Sequence, residues 1–272
     1  MLHPTAQEIA HQVAHANDDR RPIFIAANVV FLVLAFVAVG LRFFARRKSK
    51  TPLGWDDWLI CLAAALLTGH VTCLLWCVRL GMGRHTIYIT DVKGFLITSL
   101  FAETFYNLSI PATKLSILAL YRRIFSRATG WFTATLNCTA LFVILYTIPQ
   151  CFTYVFRCVP VESLWTEYGP GTKVTCVNFQ AIMVSFGIIN IITDWFILLL
   201  PLPVLLGLKL ERRAKWSICV LFLLGGLVCI VSIIRLLYAR KPDSIDPSWD
   251  SIPIAAISTI EGSFGILAAC LP

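Results

Sequence analysis

The sequence predicts an all-α membrane protein: a seven-transmembrane helix bundle with its N-terminus outside and its C-terminus cytoplasmic. Three observations carry that expectation. The 272 residues are 58% hydrophobic and only 14% charged, where soluble domains hold roughly 45–50% apolar and about 25% charged residues. Seven apolar runs approach or exceed the ~20 residues that cross a hydrocarbon core. The connections between those runs are unequally charged, and that asymmetry sets orientation.

Met1 to Pro22 is polar and ends on Asp18-Asp19-Arg20-Arg21. It reads as an extracellular segment (residues 1–22), because a cleavable signal peptide is shorter and its apolar run falls short of a full span. His11 and His15 stand one helical turn apart, with His3 nearby, but nothing supplies a dependable further ligand. A solvated tail is expected there, and no metal. Residues 23–272 form one transmembrane domain. Its first span, Ile23–Leu41, closes on Arg42, Arg46, Arg47, Lys48 and Lys50. The second, Trp58–Val78, follows Gly54-Trp55-Asp56-Asp57. Carboxylates suit the positive end of a helix dipole and tryptophans suit the interface, so a cap and anchor is preferred to a paired-acid catalytic site. The remaining spans are Phe95–Tyr121, Trp131–Tyr154, Phe179–Leu206, Trp216–Tyr238 and Ile252–Leu271.

Twelve basic residues against three acidic ones fall on one side, from Arg42 to Lys215; ten against nine fall on the other, Arg235 among them. The first side is therefore read as cytoplasmic. The net charge of +8 lies at membrane flanks, without a separate basic stripe, so the lipid bilayer is the expected partner and nucleic acid is not. A multi-pass protein of the plasma membrane or an endomembrane follows. Orientation also sorts the cysteines. Cys158 and Cys176 flank the long outer connection in an oxidising compartment and are the expected disulfide, with Cys73, Cys77 and Cys151 as competitors.

The stretch Phe95–Phe125 carries an acid and a base at membrane depth. Glu103 and Lys114 are eleven positions apart, about 16 Å of rise, so they share a face without touching. Each needs a partner from another helix or a wet cavity, since a charge at mid-bilayer costs at least ~3 kcal/mol. Asp194 and Glu261 are the other acids within spans, and Asn190 precedes Asp194 by one turn. Lys114 is expected to pair with Asp194, Glu261 being the alternative, while Glu103 and Asn107, with His70, line a polar cavity. A purely structural ion pair that fixes helix register is the preferred reading of that pairing. Pro111 frees the Asn107 carbonyl, to be patched by Ser109 or Thr113. Outside, Gly81-Met82-Gly83-Arg84-His85 offers Arg84 and His85 to an anion or ligand head group, or forms an ordinary interfacial turn.

In combination these stretches resemble the fungal rhodopsin-domain integral membrane proteins. The likeness rests on Asp56-Asp57-Trp58; Gly81-Met82-Gly83-Arg84-His85; Lys114-Leu115-Ser116-Ile117-Leu118 running into Tyr121-Arg122-Arg123-Ile124-Phe125; Phe156-Arg157-Cys158-Val159-Pro160 with Trp165 and Cys176; and Asp194 with Leu200-Pro201-Leu202-Pro203. Gly225, Arg235, Glu261 and Cys270-Leu271-Pro272 are similar too. The extracellular cysteine-rich domain and cytoplasmic tail of receptor-like members are expected to be missing. The family name suggests retinal, but microbial opsins hold retinal on a lysine of the seventh helix, and Ile252–Leu271 has none. No cofactor is expected. The resemblance implies a receptor-like protein: an unidentified small-molecule ligand enters from outside beneath the Cys158–Cys176 loop and shifts the helices around Lys114. The alternative is an intramembrane acid/base enzyme, or an accessory protein, in fungal secondary-metabolite biosynthesis. There Glu103, Asp194 or Glu261 would give protons to an apolar substrate. The sequence leaves open whether the chain is an enzyme, and its oligomeric state.

Overall fold

The computed structural model describes residue 12 and residues 18–125, 130–166, 174–206, 212–240 and 246–271. His3, His11 and His15, and with them nearly all of the N-terminal segment, lie outside the described residues. Among the described residues seven long helices follow one another: α1 (Arg21–Lys48), α2 (Trp55–Leu80), α3 (Val92–Ile124), α4 (Gly130–Val155), α5 (Phe179–Leu199), α6 (Arg212–Ala239) and α7 (Pro247–Cys270). A short helix, Leu202–Leu206, continues α5. Six of the seven are long and apolar enough to cross a membrane. The exception is α3, the longest at 33 residues, whose apolar run is diluted by Glu103, Asn107 and Lys114.

That polarity follows from where α3 sits. It packs along α2 and also touches α4, α5 and α7, so most of its inner half is enclosed by protein rather than lipid. Small residues allow the close approach. Ala63 and Ala64 of α2, Ala112 of α3 and Ala269 of α7 share one buried cluster with Ile60, Leu67 and Ile266, as expected where packing rather than water exclusion holds helices together. The helix passes through Pro111 without a break. The expected hydroxyl patch is absent, however. Thr113 Oγ1 donates to the Ser109 carbonyl at 3.0 Å and Ser109 Oγ to the Ala63 carbonyl of α2 at 3.0 Å. Each hydroxyl has one proton, so neither serves Asn107.

Local sequence sets the helix ends. Asp91, Asn178 and Asp246 cap α3, α5 and α7 by accepting from the backbone of Gly94, Ala181 and Trp249. After α2 the chain turns sharply through Gly81 (φ 123°) and Gly83 (φ 96°), conformations that favour glycine. Between α4 and α5 a two-stranded antiparallel hairpin, β1 (Cys158–Val159) with β2 (Thr175–Cys176), places the two cysteines directly opposite each other, and they form a disulfide. Cys73, Cys77 and Cys151 are free.

Contacts among the helices are uneven. α2 and α3 form one tight pair, α5 and α6 another, and α7 lies between them, touching α1, α2, α3 and α6. Direct contact between α3 and α5 is sparse. Lys114, Asp194, Arg235 and Glu261 gather around that thin seam.

Candidate functional site

Lys114 of α3 is 3% exposed. Its Nζ lies 3.0 Å from Asp194 Oδ1 of α5 and donates to Asn190 Oδ1 at 2.7 Å, the Asn190 carbonyl at 3.0 Å and Thr193 Oγ1 at 2.6 Å. An ammonium has three protons, so four oxygens leave none unused. The α5 partners are Asn190, Thr193 and Asp194, whose i, i+3, i+4 spacing puts all three on the face turned to α3.

Glu261 of α7 is fully buried. Its Oε2 accepts from Arg235 Nε of α6 at 2.7 Å and from the Tyr106 hydroxyl of α3 at 2.6 Å. Oε1 accepts from Asn190 Nδ2 at 2.9 Å and Ser232 Oγ at 2.6 Å. Asn190 Nδ2 and Ser232 Oγ each also lie 3.2 Å from Asp194 Oδ2. Two ion pairs, Lys114–Asp194 and Arg235–Glu261, are thus joined through Asn190 and Ser232 into one cluster drawn from α3, α5, α6 and α7.

A cavity of about 60 Å³ borders this cluster, touched by Lys114, Asp194 and Glu261 and walled by apolar residues such as Ile117, Ile197 and Val228. It has room for a few waters and is far below the ~300 Å³ of a small-molecule pocket. Both oxygens of Glu261 are occupied by donors, so this carboxylate presents neither a proton nor an open lone pair to a substrate.

The other residues singled out in the sequence stand apart from this cluster. Asn107 Oδ1 accepts from Gln150 Nε2 of α4 at 2.8 Å, while Asn107 Nδ2 and the Tyr146 hydroxyl have no partner among the described residues and border a separate void of about 10 Å³. Glu103 meets Arg157 Nη1 at 3.4 Å, its side chain 35% exposed. His70 Nδ1 contacts the Ala102 carbonyl at 2.8 Å. In the turn after α2, Arg84 is exposed. His85 is buried, its Nδ1 2.5 Å from Asp246 Oδ2 and its ring stacked on Trp249 at 4.9 Å, which docks the turn onto the start of α7. Among the described residues no group of three or more His, Cys, Asp or Glu is placed to hold a metal ion.

Several participants lie outside the polar network expected from the sequence. Arg235, counted above with the outer flank, lies inside α6 and is 7% exposed; the outer flank then balances at nine bases against nine acids. The signal was present, since a base inside the apolar run Trp216–Tyr238 demands a carboxylate as surely as Lys114 does. Tyr106, Thr193 and Ser232 gave no such signal. At the basic end, Asp56 and Asp57 do more than cap. Asp57 accepts from the Gly54 backbone at 3.0 Å, and both acids are buried against Arg42 and Arg46 of α1 and Arg123 of α3. Arg42, itself buried, also donates to the Ala269 carbonyl of α7.

A family model, the fungal rhodopsin domain, matches residues 41–272. The chain belongs to that family. With six helices fit to cross a bilayer, this fungal rhodopsin-domain protein is a multi-pass membrane protein. Among its relatives, the polyenoic acids biosynthesis gene cluster protein Ba17b of Metarhizium anisopliae is 26% identical over 93% of this chain and 71% of its own length. A SAT4 family membrane protein of Emericella nidulans is 29% identical over 82% of this chain and 54% of its own. Receptor GIN3 of Arthrobotrys oligospora is 25% identical over 79% of this chain and 52% of its own. The chain thus spans about half the length of the latter two. No solved structure matches it.

Proposed function

We propose that this fungal rhodopsin-domain protein is receptor-like and works without retinal. Its seven helices cross the bilayer, α3 included, with the N-terminus outside and the C-terminus cytoplasmic. Support for the seventh crossing is that α3 runs 33 residues, about 50 Å, with its polar side chains turned to other helices. A ligand approaching beneath the disulfide hairpin, near Arg84 and His85, would act by rearranging the helices that meet at Lys114.

The observation that carries this reading is the seam between α3 and α5. Few packing contacts cross it; a saturated ion cluster and an adjoining cavity of about 60 Å³ lie there instead. Coupling between sites needs an element with two discrete arrangements. A cluster held by hydrogen bonds, with space beside it, can exchange partners at small packing cost. Saturation of Lys114 as an ammonium also argues against its use as a Schiff base. One relative is named a receptor, which agrees.

The second reading, an intramembrane acid/base enzyme or an accessory role in secondary-metabolite biosynthesis, draws on relatives named for biosynthetic clusters. Glu103 would then be its acid, being the most exposed of the three carboxylates at membrane depth. The test compares a deletion strain with strains carrying Glu103→Gln, Asp194→Asn or Glu261→Gln. The receptor reading expects an altered transcriptional response in the Asp194 and Glu261 alleles and no accumulated intermediate. One biosynthetic intermediate accumulating in the deletion and in all three alleles would overturn it in favour of catalysis.

A further inference from the structure

Where α2, α3 and α4 meet on the flank of the bundle, a groove of about 690 Å³ opens at the basic end. Its channel is apolar, formed by Leu59 of α2, Leu115 and Leu118 of α3, and Leu136, Ala140 and Ile144 of α4. At its mouth two guanidinium groups differ in their commitments. Arg123 reaches the Pro52 carbonyl at 2.6 Å and Asp56 at 3.3 Å. Arg122 is exposed and has no ion-pair partner among the described residues. Asp56 also lines the mouth, but its carboxylate is engaged by Arg42 and Arg46, which leaves the entrance cationic.

Asn137 supplies an independent observation. It stands seven residues into α4, about 10 Å from that helix's start, and it lines the groove while exposed. An amide facing acyl chains forfeits its hydrogen bonds, a cost of several kcal/mol in hydrocarbon. An occupant with a polar group at that depth removes the cost. Trp55, 81% exposed at the rim, suits the headgroup level. From the mouth inward the groove therefore presents cations, then an amide donor, then an apolar channel.

We propose that this groove binds one anionic glycerophospholipid. Its phosphate meets Arg122 and Arg123, an ester carbonyl accepts from Asn137 Nδ2, and an acyl chain follows the channel past Ala140 to Ile144. Phosphatidylcholine carries the same phosphate but brings its quaternary ammonium up to the guanidinium groups at the mouth, whereas the added carboxylate of phosphatidylserine keeps that headgroup anionic; a free phosphate satisfies the mouth but not the channel.

The protein purified in neutral detergent and stripped of lipid provides the test. Native mass spectrometry and thermal unfolding are followed with phosphatidylserine, with phosphatidylcholine of the same chains, and with inorganic phosphate. Phosphatidylserine should be retained at one per chain and should raise the unfolding temperature above the level reached with either comparison. Arg122→Gln should weaken its retention roughly fivefold, the increment of one basic residue at an anionic surface. Ala140→Trp, which fills the channel, should abolish retention. Should that variant unfold at a lower temperature without lipid, Asn137→Leu takes its place, since Asn137 is exposed. Equal retention of the two phospholipids, an equal effect of inorganic phosphate, or full retention after the channel is blocked or Asn137 replaced would each overturn the proposal.

Discussion

Lys114 Nζ lies 3.0 Å from Asp194 Oδ1 across a seam where α3 and α5 otherwise meet at few points. Removing either charge leaves the other buried and unpaired, at a cost of about 3–5 kcal/mol. The two losses should therefore not add. Lys114→Met and Asp194→Leu, alone and together, form a double-mutant cycle read by unfolding in bicelles. A coupling of ~1 kcal/mol or more is expected, against the ~0.5 kcal/mol scatter of independent sites.

Glu261 and Glu103 should respond differently to the same change. Glu261 accepts four hydrogen bonds and is the counter-charge of buried Arg235. Glu261→Gln strands that guanidinium and should cost about 3 kcal/mol or more. Glu103 is a third exposed and meets Arg157 at 3.4 Å. Glu103→Gln should cost under ~1 kcal/mol. The same unfolding assay ranks them.

Arg42 should not tolerate lysine. Its Nε meets Asp57 at 2.7 Å, one terminal nitrogen meets Asp56, and the other reaches the Ala269 carbonyl of α7. A lysine has a single nitrogen and cannot span three acceptors on α2 and α7. Arg42→Lys should lose most of what Arg42→Ala loses, about 3–5 kcal/mol, and thermal unfolding of the two variants in parallel decides it.

Alkylation should find one disulfide. Of the ten cysteines in the chain, two should resist modification when the protein is denatured without reductant, and peptide mapping should link Cys158 to Cys176. Linkage of either to Cys73, Cys77 or Cys151 would contradict the hairpin. Replacing both with serine should cost about 3 kcal/mol for a loop of this length, separation 18.

Residues whose type is improbable in their surroundings were the ones legible from sequence. A lysine or glutamate amid Leu, Ile and Phe announces a partner, so Lys114, Asp194 and Glu261 stood out. Tyr106, Thr193 and Ser232 are unremarkable in a span, and their roles depend on which helices adjoin, which hydropathy does not encode. Arg42 and Asp56 were masked by their position at helix ends, where charge is commonplace; only the fold shows both turned inward. The length and apolar run of α3 are visible in the sequence, whereas its central place follows from contacts with α2, α4 and α7.

Within the cluster, Lys114 and Arg235 carry two positive charges, and Asp194 and Glu261 two negative ones. An electric field across a membrane does work on displaced charge, ~2.3 kcal/mol per elementary charge per 100 mV. Moved as a unit, this group is electrically neutral and feels no such push. A shift of the whole group is therefore indifferent to membrane voltage, whereas an exchange of partners that draws the two ion pairs apart along the membrane normal is not.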